Sequence, residues 1–201
     1  MAETKKISYS YKEIEEKANA FLEKINPDNE FPISDNMWKI AADKFNAKII
    51  YSRLDNDTDL VGSIIYDTRK KDNIVQKYFN KDIAILINTV HTPSRQLFTL
   101  AHEFGHYLLL NEQFPNFGVE ERNLKNQNID EKSDEYLANV FAGCVLMPIN
   151  EILKYVDKES LFLRKGDLST KEIDLLKTKF GVSDNVVNAR IKVVRKYYSL
   201  V

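Results

Sequence analysis

Between Ser10 and Ile25 the apolar positions Ile14, Ala18, Phe21, Leu22 and Ile25 recur at the spacing that lays one stripe along an α-helix, and Pro27 closes the segment. The same pattern predicts a second helix over Ser34–Phe45, where Met37, Ile40 and Ala41 share a face and Ser34 stands at the cap. After Asn46 the pattern changes. Lys48–Ser52 (KIIYS), Val61–Tyr66 (VGSIIY) and Asp82–Asn88 (DIAILIN) are short β-branched runs separated by turn-rich spacers such as LDNDTD and RKKDN, and they are expected to form a small sheet.

Helical spacing resumes over Ser94–Leu110, with Leu97, Leu100, Ala101, Leu108 and Leu109 apolar and Ser94, after Pro93, as the cap; so apolar a stripe predicts a buried helix. Asn111–Asn128 is polar, contains Pro115 and Gly118 and keeps no period, so a loop bordering that helix is expected. Asp130–Leu146 returns to helix and Pro148 stops it. Beyond Ile149–Val156, two further helices, Lys171–Phe180 and Asp184–Tyr198, are joined by Gly181-Val182-Ser183 in the manner of a helix-turn-helix. The chain therefore reads as an α+β fold, mostly helical, with a small three-stranded sheet beside the Ser94–Leu110 helix. A division into a core of residues 1–160 and a C-terminal helical appendage of residues 161–201 packed on it is expected.

A chain of 201 residues is long enough to bury a continuous apolar core. Lys plus Arg number 29 against 30 Asp plus Glu, a formal charge of -1, so the molecule as a whole has no strong field to recruit nucleic acid or an anionic membrane. The single cysteine, Cys144, excludes an intramolecular disulfide framework and fits a reducing compartment. The opening MAETKKISYSYKEIEEK lacks the apolar run of a secretory signal, and no apolar stretch approaches a membrane span, so a cytoplasmic location is expected.

His102-Glu103-Phe104-Gly105-His106 is an HExxH sequence inside the apolar helix. Residues four apart lie one turn above each other, so one cation can bridge the two imidazoles. Glu103, three residues before His106, projects toward the same side and reaches a water on that cation, which makes it the candidate base. The bland alternative is a solvated helix face. Phe98, Leu100, Leu108 and Leu109 argue against it, because imidazole and carboxylate buried among apolar residues need a partner, and a cation supplies one.

Catalytic zinc takes three protein ligands and keeps one position open. His91, the remaining histidine, precedes the helix beside Pro93 at no spacing that predicts convergence. Glu135 on the following helix is the expected third ligand, because Asn139 one turn later is placed to hydrogen-bond the outer nitrogen of a ligand histidine. Two histidines and a carboxylate suit Zn2+ and also admit Mn2+ or another divalent metal.

The run Arg95-Gln96-Leu97-Phe98-Thr99-Leu100-Ala101-His102-Glu103-Phe104-Gly105-His106-Tyr107, followed by Glu135-Tyr136-Leu137-Ala138-Asn139-Val140-Phe141-Ala142 and then Leu146-Met147-Pro148, resembles the ImmA/IrrE family of metallopeptidases. The two helical blocks match in detail, and the order of elements is similar from Ile14 to Ile191. The resemblance implies a thermolysin-like minimal metallopeptidase fold with His102, His106 and Glu135 as ligands and Glu103 as base. It also implies a substrate class, the helix-turn-helix transcriptional repressors of mobile elements or stress regulons, cut once to relieve repression. A zinc endopeptidase with a DNA-binding repressor as its protein partner is the resulting expectation. The rival is a non-catalytic regulator that sequesters a repressor or DNA through basic C-terminal helices; an intact Glu103 argues against it.

Other features take the plainer interpretation. Tyr107 points away from His106 and is expected in the core, and Cys144, in the apolar run Val140–Met147, is expected to be packing. Asp130, Glu131 and Asp134 suit a helix start favoured by the dipole rather than extra metal ligands. Arg164 to Val201 carries nine basic residues against four acidic, a local charge of +5, but Arg190, Lys192, Arg195 and Lys196 do not share one narrow stripe. Docking of a protein substrate, or closure of the core, is favoured there over direct nucleic-acid binding.

Overall fold

Ser10 Oγ accepts a hydrogen bond from Glu13 N at 3.3 Å while Ser10 N donates one to the Glu13 carboxylate at 2.7 Å, and this reciprocal cap starts the first helix of the computed structural model. The structure describes residues 9–54, 60–66, 74–110, 118–123, 133–158 and 168–198. In chain order the elements are α1 (Tyr11–Ile25), α2 (Asp35–Lys44), β1 (Ala47–Ser52), β2 (Leu60–Tyr66), α3 (Ile74–Phe79), β3 (Ile83–Asn88), α4 (Pro93–Leu110), β4 (Gly118–Asn123), α5 (Asp134–Leu146), α6 (Ile149–Lys158), α7 (Thr170–Phe180) and α8 (Asp184–Tyr198).

The fold is α+β, and the three expected strands are β1, β2 and β3. The sheet has the order β1-β3-β2-β4, with β3 parallel to β1 and antiparallel to β2. Its fourth strand, β4, pairs antiparallel with β2 at the edge. It falls within the stretch expected to be a loop, and its sequence GVEERN has no alternation to announce it; the free edge of β2 supplies the pairing that makes it a strand. Helix α3 was likewise unannounced beside the RKKDN spacer, whose residues lie outside those described. The central strand β3 is buried along nearly its whole length, as a run of IAILIN requires.

Helix α4 packs on β2 and β3 on one side and on α5 on the other, and α5 rests in turn on α1. Phe104 fixes the rotation of α4. Its ring lies 5.3 Å from Phe21 and 5.9 Å from Trp38, centroid to centroid, in an aromatic cluster roughly opposite His102 and His106 on the helix. The start of α4 differs from expectation. Ser94 lies inside the first turn, Pro93 opens the helix, and Thr92 occupies the cap position, its carbonyl accepting from Arg95 N and Gln96 N, both at 2.9 Å. Ser34 does precede α2, but its side chain makes no capping hydrogen bond. Among the described residues no single helix is long and apolar enough to cross a membrane.

The C-terminal pair α7 and α8 turns at Gly181, whose φ of 67° is the left-handed conformation that glycine adopts without strain. Leu176, Phe180, Val187, Ile191 and Val194 join the same core cluster as α1 and α5. The basic character inferred for this segment needs one correction. Arg190 is 3% exposed and Glu15 4%, and the guanidinium lies 2.8 and 2.9 Å from the two Glu15 oxygens. Its Nε donates to Met147 O at 2.8 Å and its Nη1 to Tyr11 Oη. Cys144, fully buried as expected, donates to Glu15 at 3.1 Å; burial and the Glu15 charge push its thiol well above the ordinary value. This network ties α8 to α1 and to the end of α5.

Arg190→Leu leaves Glu15 as a buried charge without its partner, and urea denaturation is expected to show a loss of about 3–5 kcal/mol. The double change Glu15→Leu/Arg190→Leu should be more stable than Arg190→Leu alone, because no isolated charge remains. Additive losses would contradict this account of the network.

Candidate metal centre

Gly105 lets α4 and α5 approach until backbone meets backbone. A Cβ at Gly105 would stand 3.2 Å from both Cα and O of Ala138 and 3.1 Å from Phe141 Cδ1. The contact sets α5 against the face of α4 that carries His102 and His106. Ser133 caps α5, accepting from Tyr136 N at 3.2 Å, so the helix begins with Asp134 and Glu135 in the turn facing the imidazoles.

The Nε2 atoms of His102 and His106 stand 2.9 Å apart. Glu135 Oε1 is 3.1 Å from His106 Nε2, and its Oε2 is 3.5 Å from His102 Nε2. Each of the three side chains offers a donor atom within 4.8 Å of the others, the span of one cation site. His102 Nδ1 donates to Asn139 Oδ1 at 3.0 Å. An amide oxygen only accepts, so the ring proton belongs on Nδ1 and the Nε2 lone pair faces the other two donors, which is the tautomer a metal requires. Nδ1 of His106 is buried without a hydrogen-bond partner among the described residues.

Burial opposes ionisation of Glu135, but the two imidazoles beside it, His102 and His106, outweigh it whenever they are protonated, as hydrogen-bond donors and as positive charges, and hold the carboxyl well below the usual range. The side chain of Glu135 is 22% exposed, whereas His102 and His106 are closed off, so solvent reaches the centre from the α5 side. The four residues singled out around the motif, His102, His106, Glu135 and Asn139, thus meet at one place.

Glu103 is fully buried and faces β2. A Cβ at Gly62 would stand 3.2 Å from Glu103 Oε1 and would overlap the Thr99 methyl. Gly62 was passed over in the sequence, where VGSIIY shows only a small residue inside a strand; such a glycine signals close approach of another group. His91 stays outside the centre, its carbonyl accepting from Gln96 Nε2 at 2.7 Å. Tyr107 packs against Phe45, ring centroids 6.4 Å apart, and lies half-buried against the core rather than within it. Asp134 stays outside the donor group, while Asp130 and Glu131 lie outside the described residues.

Two histidines of one helix and a glutamate of the next, gathered about one point with an oriented ring, make a group with the donor types and spacing to hold a metal ion. The chain belongs to the peptidase family described as the IrrE N-terminal-like domain, whose model matches residues 63–192. That span contains α4, α5 and every residue of the centre, so the chain carries a metallopeptidase-type domain. Among solved structures, a Mycobacterium tuberculosis transcriptional regulator has a similar fold, with a TM-score of 0.51 and 15% identity over 89% of this chain and 51% of that one. The chain spans about half the length of that protein. No curated protein matches it in sequence.

Gly62→Ala is expected to cost about 1–3 kcal/mol through overpacking against Thr99. Gly62→Ala/Thr99→Ser, which removes the methyl that the new Cβ would strike, should recover most of the loss in denaturant titrations. Equal losses in the two variants would show that the strand does not need the glycine for this approach.

Proposed function

We propose that the protein is a zinc-dependent endopeptidase that makes a site-specific cut in a helix-turn-helix transcriptional repressor and so relieves repression. The observation that carries the hydrolase part is the meeting of His102 Nε2, His106 Nε2 and a Glu135 carboxylate at one point, with Asn139 fixing the His102 tautomer. These three side chains would hold the metal, and a zinc ion bound there supplies an acidified water and a polarised peptide carbonyl. Glu103 is the base: it takes the proton from the attacking water and passes it to the leaving amine. Glu135 closes the donor set on the side that solvent reaches.

The substrate class rests on the resemblance of the two helical blocks to the ImmA/IrrE family. A cytoplasmic setting fits the lone thiol, Cys144. Sequestration of DNA by basic C-terminal helices loses support from the burial of Arg190, which removes one cation from the exposed face of α8. Docking of the protein substrate is the better role for that face.

Incubation with the product of a neighbouring repressor gene should yield two fragments whose masses locate one bond, and a chelator should abolish the cut. Stoichiometric binding without fragments would favour the sequestering regulator. Glu103→Gln is expected to retain zinc and to lower cleavage by roughly 10²–10⁴-fold; an undiminished rate would remove Glu103 from its role. Asn139→Ala should weaken zinc affinity by about 10–100-fold, read by chelator competition, with cleavage restored at excess metal.

A further inference from the structure

Behind His102, on the ring edge turned away from the metal centre, lies a cavity of about 480 Å³ walled by the first turn of α4, one face of α5 and the start of α8. Its size is that of a small-molecule site. Phe98, Val140, Val186 and Val193 give it an apolar body, and its described lining contains no acidic side chain. Arg95 reaches into the wall with its Nε buried and without a hydrogen-bond partner, and none of the ion pairs among the described residues involves it. The other cation in the wall, Arg190, is bound to Glu15. The first turns of α4 and α8 both border the cavity, and the positive ends of their dipoles add to the preference for an anion. Asn139 lines the cavity while its Oδ1 holds His102 Nδ1.

We propose that this cavity binds a small amphipathic carboxylate, its anionic end on Arg95 and its apolar body against Phe98 and Val140, and that occupancy is transmitted to the metal centre through Asn139. Arg95 offers the planar fork that pairs two nitrogens with two oxygens. A ligand seated against Asn139 contacts the group that fixes the His102 ring, so the two sites share one residue. The binding site stands independently of the metal; only the transmission rests on the metal-centre proposal above.

The test titrates the metal-free 201-residue chain with 8-anilinonaphthalene-1-sulfonate, a fluorescent amphipathic anion, and displaces it with decanoate. One saturable site is expected. Arg95→Gln should weaken both ligands by roughly tenfold or more with an unchanged melting temperature, and Ala189→Phe, which fills the cavity, should abolish binding. Equal affinity in wild type and Arg95→Gln, or equally tight binding of the uncharged N-phenyl-1-naphthylamine, overturns the site, and this comparison decides should Ala189→Phe fail to fold. With decanoate saturating, the zinc Kd should shift several-fold, and zinc should shift the decanoate Kd by the same factor. That shift should vanish in Asn139→Ala. An unchanged zinc Kd in wild type overturns the transmission, whereas failure to bind zinc at all would defeat the metal-centre proposal and leave the probe result intact.

Discussion

The contact of Gly105 with Ala138 is the constraint on which the centre depends. Two helices that touch through side chains lie about 8–10 Å apart, and a carboxylate on one then meets imidazoles on the other only by reaching. Here a Cβ at 105 would stand 3.2 Å from the Ala138 backbone, so any side chain there would have to push the two helices apart by a few tenths of an ångström. Glu135, one turn before Ala138, is thereby brought to 3.1 Å from His106. A larger residue at 105 would widen the gap along the whole line of contact. The glycine inside HExxH therefore serves the neighbouring helix as much as its own.

That closeness has an energetic consequence. His102, Glu103 and His106 are essentially without solvent contact, on a helix whose remaining faces meet the sheet and an aromatic cluster. Polar groups so placed oppose folding unless they are paired. Asn139 and Glu135 answer part of this within the protein, and a cation answers more of it. The aromatic packing of Phe104 with Phe21 and Trp38 holds α4 in rotation meanwhile, so the imidazoles keep their aim.

What was legible in the sequence was what is local. Helices with long apolar stripes, the three β-branched strands and the i, i+4 imidazoles follow from periods of 3.6 and 2, and Glu135 could be chosen because Asn139 stands one turn beyond it. What was illegible depends on partners distant in the chain. β4 is a strand because β2 has an edge to pair with, Gly62 matters because Glu103 comes to lie against it, and Arg190 is an interior residue because Glu15, 175 positions earlier, neutralises it. A charge count assigns such an arginine to the surface, since only the fold supplies its carboxylate. The cap of α4 failed for a smaller reason: Pro93 is itself acceptable in a first turn, which moves the cap two residues back, from Ser94 to Thr92.

The two edges of the His102 ring join these levels. An imidazole has one proton to place between two nitrogens, so the acceptor at Nδ1 decides what Nε2 presents to the donors of the centre. Asn139 provides that acceptor from α5, and the same residue forms part of the wall shared with α8. The position of α8 is set in turn by Arg190 on Glu15 and Tyr11 of α1. A continuous line of polar contact and packing thus runs from the first helix, through the last, to a lone pair at the centre. The C-terminal helices do more than close the core, because α8 forms one wall of the space in which the residue that orients the metal-facing ring is held.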